Sequence, residues 1–272
     1  MKEVVHIVNN QLVGIYTESE TLTCERPTIL FLNSGLLPHI GPYRLYVNLA
    51  RKFAKMGYNC FRFDLSGIGD SEKHKDSRLY QLQHQSDITD VLDFLQNERG
   101  DKQFIVMGIC TGADNAHQTM ARDDRVIGAV SIDGYTYPTK RYYFNYLMPK
   151  LFSVSSWVTL IKLAIKKRKA AVQSERRDSP DRIDMSWNNP PKDQVEREYQ
   201  EFVNKNKSLL AVFTASWPYN YKNQLADVFP SLSFGANLQT AYLEDAEHIF
   251  PLAEDRANLT ETIINWLNDR FE

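Results

Sequence analysis

Residues 108–117 read GICTGADNAH. An apolar run, KQFIVMGIC, leads into them, and a helical pattern, TGADNAHQTMARDD, follows. The spacing Gly-x-Cys-x-Gly is that of a sharp strand-to-helix turn presenting a nucleophile, a position usually held by serine. Backbones crowd at such a turn, so its flanks must be small; Gly108, Gly112 and Ala113 meet that need. The turn residue also stands at a helix N-terminus, where the dipole and unpaired N–H groups favour thiolate over thiol. A thiolate is a better nucleophile than a hydroxyl, so Cys110 is the candidate nucleophile. The competing reading is a buried cysteine packed as a small hydrophobe. That reading suits Cys24 and Cys60, which lie in no motif.

The elements around this turn alternate. VVHIV and QLVGIYT flank an Asn-Asn turn and predict a hairpin. Apolar strand patterns then recur at PTILFLNSG, YNCFRFDLSG, KQFIVMGIC, RVIGAVSIDG, SLLAVFTAS and LQTAYLEDAEH. Helical patterns separate them, two ending at Gly57 and Gly100, and RANLTETIINWLNDRF closes the chain. Apolar strands alternating with helices predict a mostly parallel sheet covered on both faces. The alternation stops between residues 139 and 207, where helical patterns occur without a strand. The expected organisation is a core of residues 1–138 and 208–272, with residues 139–207 as a helical lid inserted after the fourth parallel strand.

Composition narrows the function classes. The chain has 272 residues, 43% hydrophobic and 24% charged, with a net charge of -2. That balance fits a globular protein with no general attraction for nucleic acid or anionic membrane. The opening MKEVVHIVNNQLVGIY has no apolar h-region, so no signal peptide is expected. LFSVSSWVTLI is too short to span a bilayer. Three cysteines form no even framework, so a reducing, cytoplasmic setting with free thiols is expected. No Cys-x-x-Cys or His-Glu-x-x-His occurs, and GIGDS lacks the ending of a phosphate loop. No metal and no cofactor are expected.

Taken in order, FLNSG, FDLSGIGDS, GICTGA and EDAEHIF resemble the α/β-hydrolase superfamily over nearly the whole chain. More narrowly, GPYRLYVNLARKFAKMGYNCFRFDLSGIGDSE with a cysteine at the turn is similar to hydrolases associated with bacterial exosortase and exopolysaccharide systems. The resemblance implies an α/β-hydrolase fold and a base just after the last strand. Of six histidines (His6, His39, His74, His84, His117, His248), only His248 sits there. His117 is seven residues beyond Cys110, about 10 Å along the helix, and reads as a packed helix residue.

The acid departs from the superfamily pattern. The segment after the fifth parallel strand, VFTASWPYNYKNQLAD, offers no carboxylate before Asp227. Asp133, at the end of the preceding strand, lies at the rim where sheet active sites form. Asn220 is the alternative orienter, as in Cys-His-Asn enzymes. An oxyanion hole is expected from the Thr111 N–H and from Gly35 or Leu36. Asp64 is expected to tie the Gly-rich loop.

His39, Tyr135 and Tyr137 are candidate pocket residues. The aromatic run YTYPTKRYYFNYLMPKLF suits an acyl pocket or simply covers the sheet. The basic run IKLAIKKRKAAVQSERR suits an anionic carrier or a solvated helix face. The leading function is an acyl hydrolase acting on small-molecule or carrier-bound esters or thioesters through a thioester acyl-enzyme. An acyltransferase on the same machinery and a non-catalytic binding protein are the alternatives.

Overall fold

The structure, a computed structural model, describes residues 1–21, 26–73, 80–151, 189–215, 218–233 and 235–271. The chain opens with an antiparallel pair, β1 (Glu3–Val8) and β2 (Leu12–Thr17). In the turn between them Asn9 and Asn10 both adopt positive φ, 51° and 56°, which asparagine tolerates. Six strands follow: β3 (Thr28–Leu32), β4 (Cys60–Phe63), β5 (Phe104–Ile109), β6 (Val126–Ile132), β7 (Ser208–Thr214) and β8 (Leu238–Leu243). They pair in parallel, and the sheet order is β1-β2-β4-β3-β5-β6-β7-β8.

The helices are α1 (Leu45–Lys55), α2 (Tyr80–Arg99), α3 (Thr111–Arg122), α4 (Lys140–Leu151), α5 (Lys192–Asn204), the short α6 (Gln224–Val228) and α7 (Ala253–Phe271). Period-2 alternation sends the strand side chains to opposite faces. Ile29 and Phe31 of β3 join one apolar cluster with Leu49 and Phe53 of α1 and Leu259 and Trp266 of α7. Leu30 and Leu32 join the other, with Val91 and Leu95 of α2 and Tyr199 and Phe202 of α5. Burying each such side chain contributes about 1.5–3 kcal/mol. The mostly parallel α/β architecture expected from the sequence is therefore observed.

Strand order reverses beside β3: β4 lies on one side and β5 on the other. That opens a crevice at the strands' C-terminal ends, the usual site of chemistry in such sheets. Within residues 139–207, α4 leaves Tyr143, Phe144 and Leu147 exposed, whereas α5 packs Val195, Tyr199 and Phe202 onto the sheet layer. The basic run and most of the polar stretch lie outside the described residues, as does Cys24. Among the described residues no helix is long and apolar enough to cross a membrane.

Candidate active site

β5 ends at Ile109 and α3 begins at Thr111, so Cys110 alone makes the turn. Its φ of 60° and ψ of -122° lie in a region costly for a residue with a Cβ. Three neighbours hold it there. The Cys110 N–H donates to Ile132 O at 2.9 Å, and Cys110 O accepts from the N–H groups of Ala113 (2.9 Å) and Asp114 (3.2 Å). One residue earlier, the Ile109 N–H donates to the buried Tyr46 hydroxyl at 3.2 Å.

Both glycines are required by sterics. A Cβ on Gly108 would stand 2.2 Å from the Gly112 carbonyl carbon. One on Gly112 would stand 2.7 Å from Asn33 O and 2.8 Å from Leu32 O. The small residues flanking Cys110 therefore let α3 press against both β5 and the end of β3.

Asp133 follows β6 at a φ of 50°. Its side chain is only 6% exposed, and its carboxylate accepts three hydrogen bonds. Thr214 donates its N–H to Oδ1 and its hydroxyl to Oδ2, both at 2.7 Å. His248 donates Nδ1–H to Oδ2 at 2.7 Å. His248 lies in the loop between β8 and α7, about one-third exposed. Its hydrogen bond to Asp133 and a second to the Cys110 sulfur outweigh burial and raise the imidazole to about 10. The structure thus brings Cys110, His248 and Asp133 together. Asn220 is not part of this group: its Nδ2 donates to Tyr142 O at 3.1 Å, on the α4 side.

Thr111 is the first residue of α3, so its N–H has no acceptor within the helix. The Gly35 N–H is already given to the Thr111 hydroxyl at 2.7 Å, so Gly35 is not the unoccupied donor that its loop position suggested. Leu36 is exposed, and its N–H has no acceptor among the described residues.

His39 is also corrected. It is buried, and its Nδ1 pairs with Asp64 Oδ2 at 2.8 Å while its N–H reaches Oδ1 at 2.6 Å. It therefore belongs to a structural hub built around Asp64. Asp64 also receives Asn33 Nδ2 (3.0 Å) and the Asp70 N–H (3.2 Å), so it ties the loop after β3 to the Gly-rich loop. Burial opposes its ionisation, but the bonds from His39, Asp70 and Asn33 prevail and hold the carboxyl below its usual range. His39, Asp64 and Asp70 place ligand atoms within 4.8 Å of one another, but His39 and Asp64 already satisfy each other.

Tyr135 and Tyr137 stand on the α5 side. The Tyr135 hydroxyl accepts from Gln118 Nε2 at 2.7 Å, and the Tyr137 hydroxyl donates to Pro190 O at 2.6 Å. His117 is buried against the rings of Tyr135, Tyr199 and Phe202, and its Nε2 bonds Glu198 at 2.7 Å. The sequence reading missed Thr214 and Tyr46. Thr214 sits in the VFTAS segment, which offers no carboxylate.

Residues 27–228 match the family described as alpha/beta hydrolase fold. The chain belongs to the alpha/beta hydrolase fold family. The family match ends before β8, yet solved structures of the same fold cover the whole chain. An esterase from Pyrococcus furiosus shares 14% identity, with 100% of this chain and 91% of that one covered and a TM-score of 0.63. A putative hydrolase from Bacillus subtilis shares 14%, with 98% and 92% covered and a TM-score of 0.61. An alpha-beta serine hydrolase homologue from Coxiella burnetii shares 13%, with 97% and 96% covered and a TM-score of 0.57. At these identities the likeness concerns the fold. No curated protein matches the sequence. In this chain the turn carries a cysteine, and the carboxylate bonded to His248 follows β6.

Proposed function

We propose that the chain is a cysteine-dependent acyl hydrolase acting on ester or thioester bonds. One observation carries this reading: Cys110 occupies the strand-to-helix turn with the His248 imidazole in hydrogen-bonding reach, and that imidazole is bonded to a buried carboxylate. In the proposed cycle the Cys110 thiolate adds to the carbonyl carbon. The resulting oxyanion is met by the N–H groups of Thr111 and Leu36. Protonated His248 gives its Nε2 proton to the departing alcohol or thiol, and a thioester acyl-enzyme remains. Water then attacks that thioester while His248 takes its proton. Collapse expels the Cys110 thiolate, releases the acid and restores the starting pair of thiolate and protonated His248.

Residues 139–207 are proposed as a helical insertion after β6, and a reducing compartment suits a partly buried catalytic thiol that must stay free. The similarity to hydrolases of exosortase and exopolysaccharide systems is part of the proposal. The test is steady-state turnover of short acyl p-nitrophenyl esters and acyl thioesters. The parent should turn them over, and Cys110→Ala and His248→Ala should each lose at least about 100-fold. Equal turnover in all three proteins contradicts the reading. Offering an amine or alcohol acceptor in the same assay separates hydrolysis from acyl transfer by product.

A further inference from the structure

Two uncharged segments border the reactive pair, and both present large apolar side chains to solvent. The first is SGLLPHIGPY, residues 34–43, and the second is HIFPLA, residues 248–253; neither contains Asp, Glu, Lys or Arg. Leu36, Leu37, Ile40 and Tyr43 on the first, and Ile249 and Leu252 on the second, are each between 40% and 59% exposed. Single exposed apolar residues are ordinary on a protein surface, but a cluster of them marks a binding surface.

The two segments are fastened together at both ends. At one end the Gly35 N–H donates to the Thr111 hydroxyl at 2.7 Å, Cys110 precedes Thr111, and the Cys110 sulfur is hydrogen-bonded to His248. Leu36 and Ile249 are the next residues at either end of that chain of contacts. At the other end the Arg256 guanidinium lies 5.5 Å from the Tyr43 ring and donates to Phe250 O and Pro251 O, beside Leu252. Cys110 and His248 both keep partial access to solvent. A substrate whose carbonyl reaches Cys110 is therefore flanked by these side chains.

The place of the reacting carbonyl selects the occupant. Four of the six side chains lie on the loop whose Leu36 N–H is assigned to the oxyanion, whereas His248 faces the departing group. Lysine and arginine, which would hold an anionic headgroup or an acidic partner, are absent from both segments. Uncharged apolar surface that begins at the nucleophile matches methylenes bonded to the carbonyl.

We infer that this patch binds an aliphatic acyl chain of the substrate, laid over Leu36, Leu37 and Ile40. The inference rests on the acyl-hydrolase reading and names the substrate class of that same site.

The test varies chain length alone. p-Nitrophenyl butyrate and octanoate share their leaving group and reacting carbonyl, and both are used below their solubility limits. In the parent, kcat/KM should be at least about 10-fold higher for octanoate, from the added methylenes taken partly out of water. The double variant Leu37→Gln, Ile40→Gln should bring the ratio within about twofold of unity and change butyrate turnover by less than about twofold. No octanoate preference in the parent, or the same preference in the double variant, overturns the inference. Cys110-dependent butyrate turnover then leaves the acyl-hydrolase reading standing. S-Octyl thioacetate carries the chain on the leaving group and should gain less than about threefold over S-methyl thioacetate. A gain equal to that of octanoate overturns the assignment to the acyl side.

Binding is also read without turnover. In Cys110→Ala protein, octanamide should bind at least about 10-fold more tightly than butyramide by ligand-observed NMR, and adding Leu37→Gln, Ile40→Gln should erase the difference. Equal binding overturns the inference whatever the esters do. In that event the same proteins identify the other occupant. A parent dimer that the double variant dissociates means a second copy, and parent-only flotation with phosphatidylcholine vesicles means a lipid surface. A lower melting temperature in the double variant means packing within the chain itself.

Discussion

Thr214, the last residue of β7, gives both its N–H and its hydroxyl to Asp133, which follows β6, each at 2.7 Å. The end of β7, which offers no carboxylate of its own, thus carries the donors that hold the carboxylate after β6. With the bond from His248, three donors converge on this carboxylate, which fixes its plane and through it the imidazole.

Thr214→Val keeps the N–H and removes the hydroxyl. Turnover of a short ester should fall roughly 3- to 10-fold, with the melting temperature within about 3 °C of the parent. Thr214→Ser restores the donor and should restore the rate. Equal losses in the Val and Ser variants would point to packing at this position and not to the hydroxyl.

Gly112→Ala tests the close approach of α3 to β3. The new methyl meets two backbone carbonyl oxygens, Asn33 O and Leu32 O, which cannot rotate away. The cost should be about 1–3 kcal/mol, read as a melting temperature lower by roughly 2–10 °C. Gly35→Ala meets nothing within 4 Å but sits at a φ of 57°, so its penalty should be the smaller one. The reverse order contradicts the steric account.

His248 links the site to pH. Its folded value of about 10 lies above the ordinary 6.5, because Asp133 and then Cys110 hold the proton. The folded state therefore binds that proton more tightly than the unfolded chain. The resulting stability is fully present below pH 6.5 and disappears as pH rises toward about 10. The gap in melting temperature between parent and His248→Gln should be widest at or below pH 6.5 and narrow steadily above it. A gap that is flat or widens with pH contradicts the assignment.

Arg256 of α7 fastens the loop that carries His248. Its Nη1 donates to Phe250 O at 2.7 Å and to Pro251 O at 2.6 Å, and its guanidinium lies 5.5 Å from the Tyr43 ring. Arg256→Met keeps the stem and removes these bonds. Amide exchange in residues 247–252 should quicken, and kcat/KM should drop about 10-fold. Unchanged exchange in that loop would remove Arg256 from the positioning scheme.

Most of the fold was legible because the apolar runs that build the sheet are uninterrupted, as in β5 and β7, where every residue is buried. The Cys110 turn was legible because sterics leave a trace in sequence: Gly108 and Gly112 each lack the room for a Cβ. His248 and Asp133 were found through order along the chain, since strand ends converge at the rim. Side-chain hydrogen bonds leave no comparable trace. His39 looked like a pocket residue because its loop borders the site, and only its pairing with Asp64 shows that it is structural. Gly35 looked like an oxyanion donor until the Thr111 hydroxyl took its N–H. Asn220 was placed by strand position, but its amide turns to α4. Thr214 was missed for the same reason: its role depends on what faces it across a strand distant in sequence.

The central claim is that Cys110 becomes acylated. Intact-protein mass spectrometry within seconds of adding an activated ester or acyl thioester tests it directly. The parent should gain the mass of one acyl group, Cys110→Ala should gain none, and the adduct should decay in water to the starting mass. A parent that never carries the adduct, or an adduct that persists in Cys110→Ala, contradicts the account.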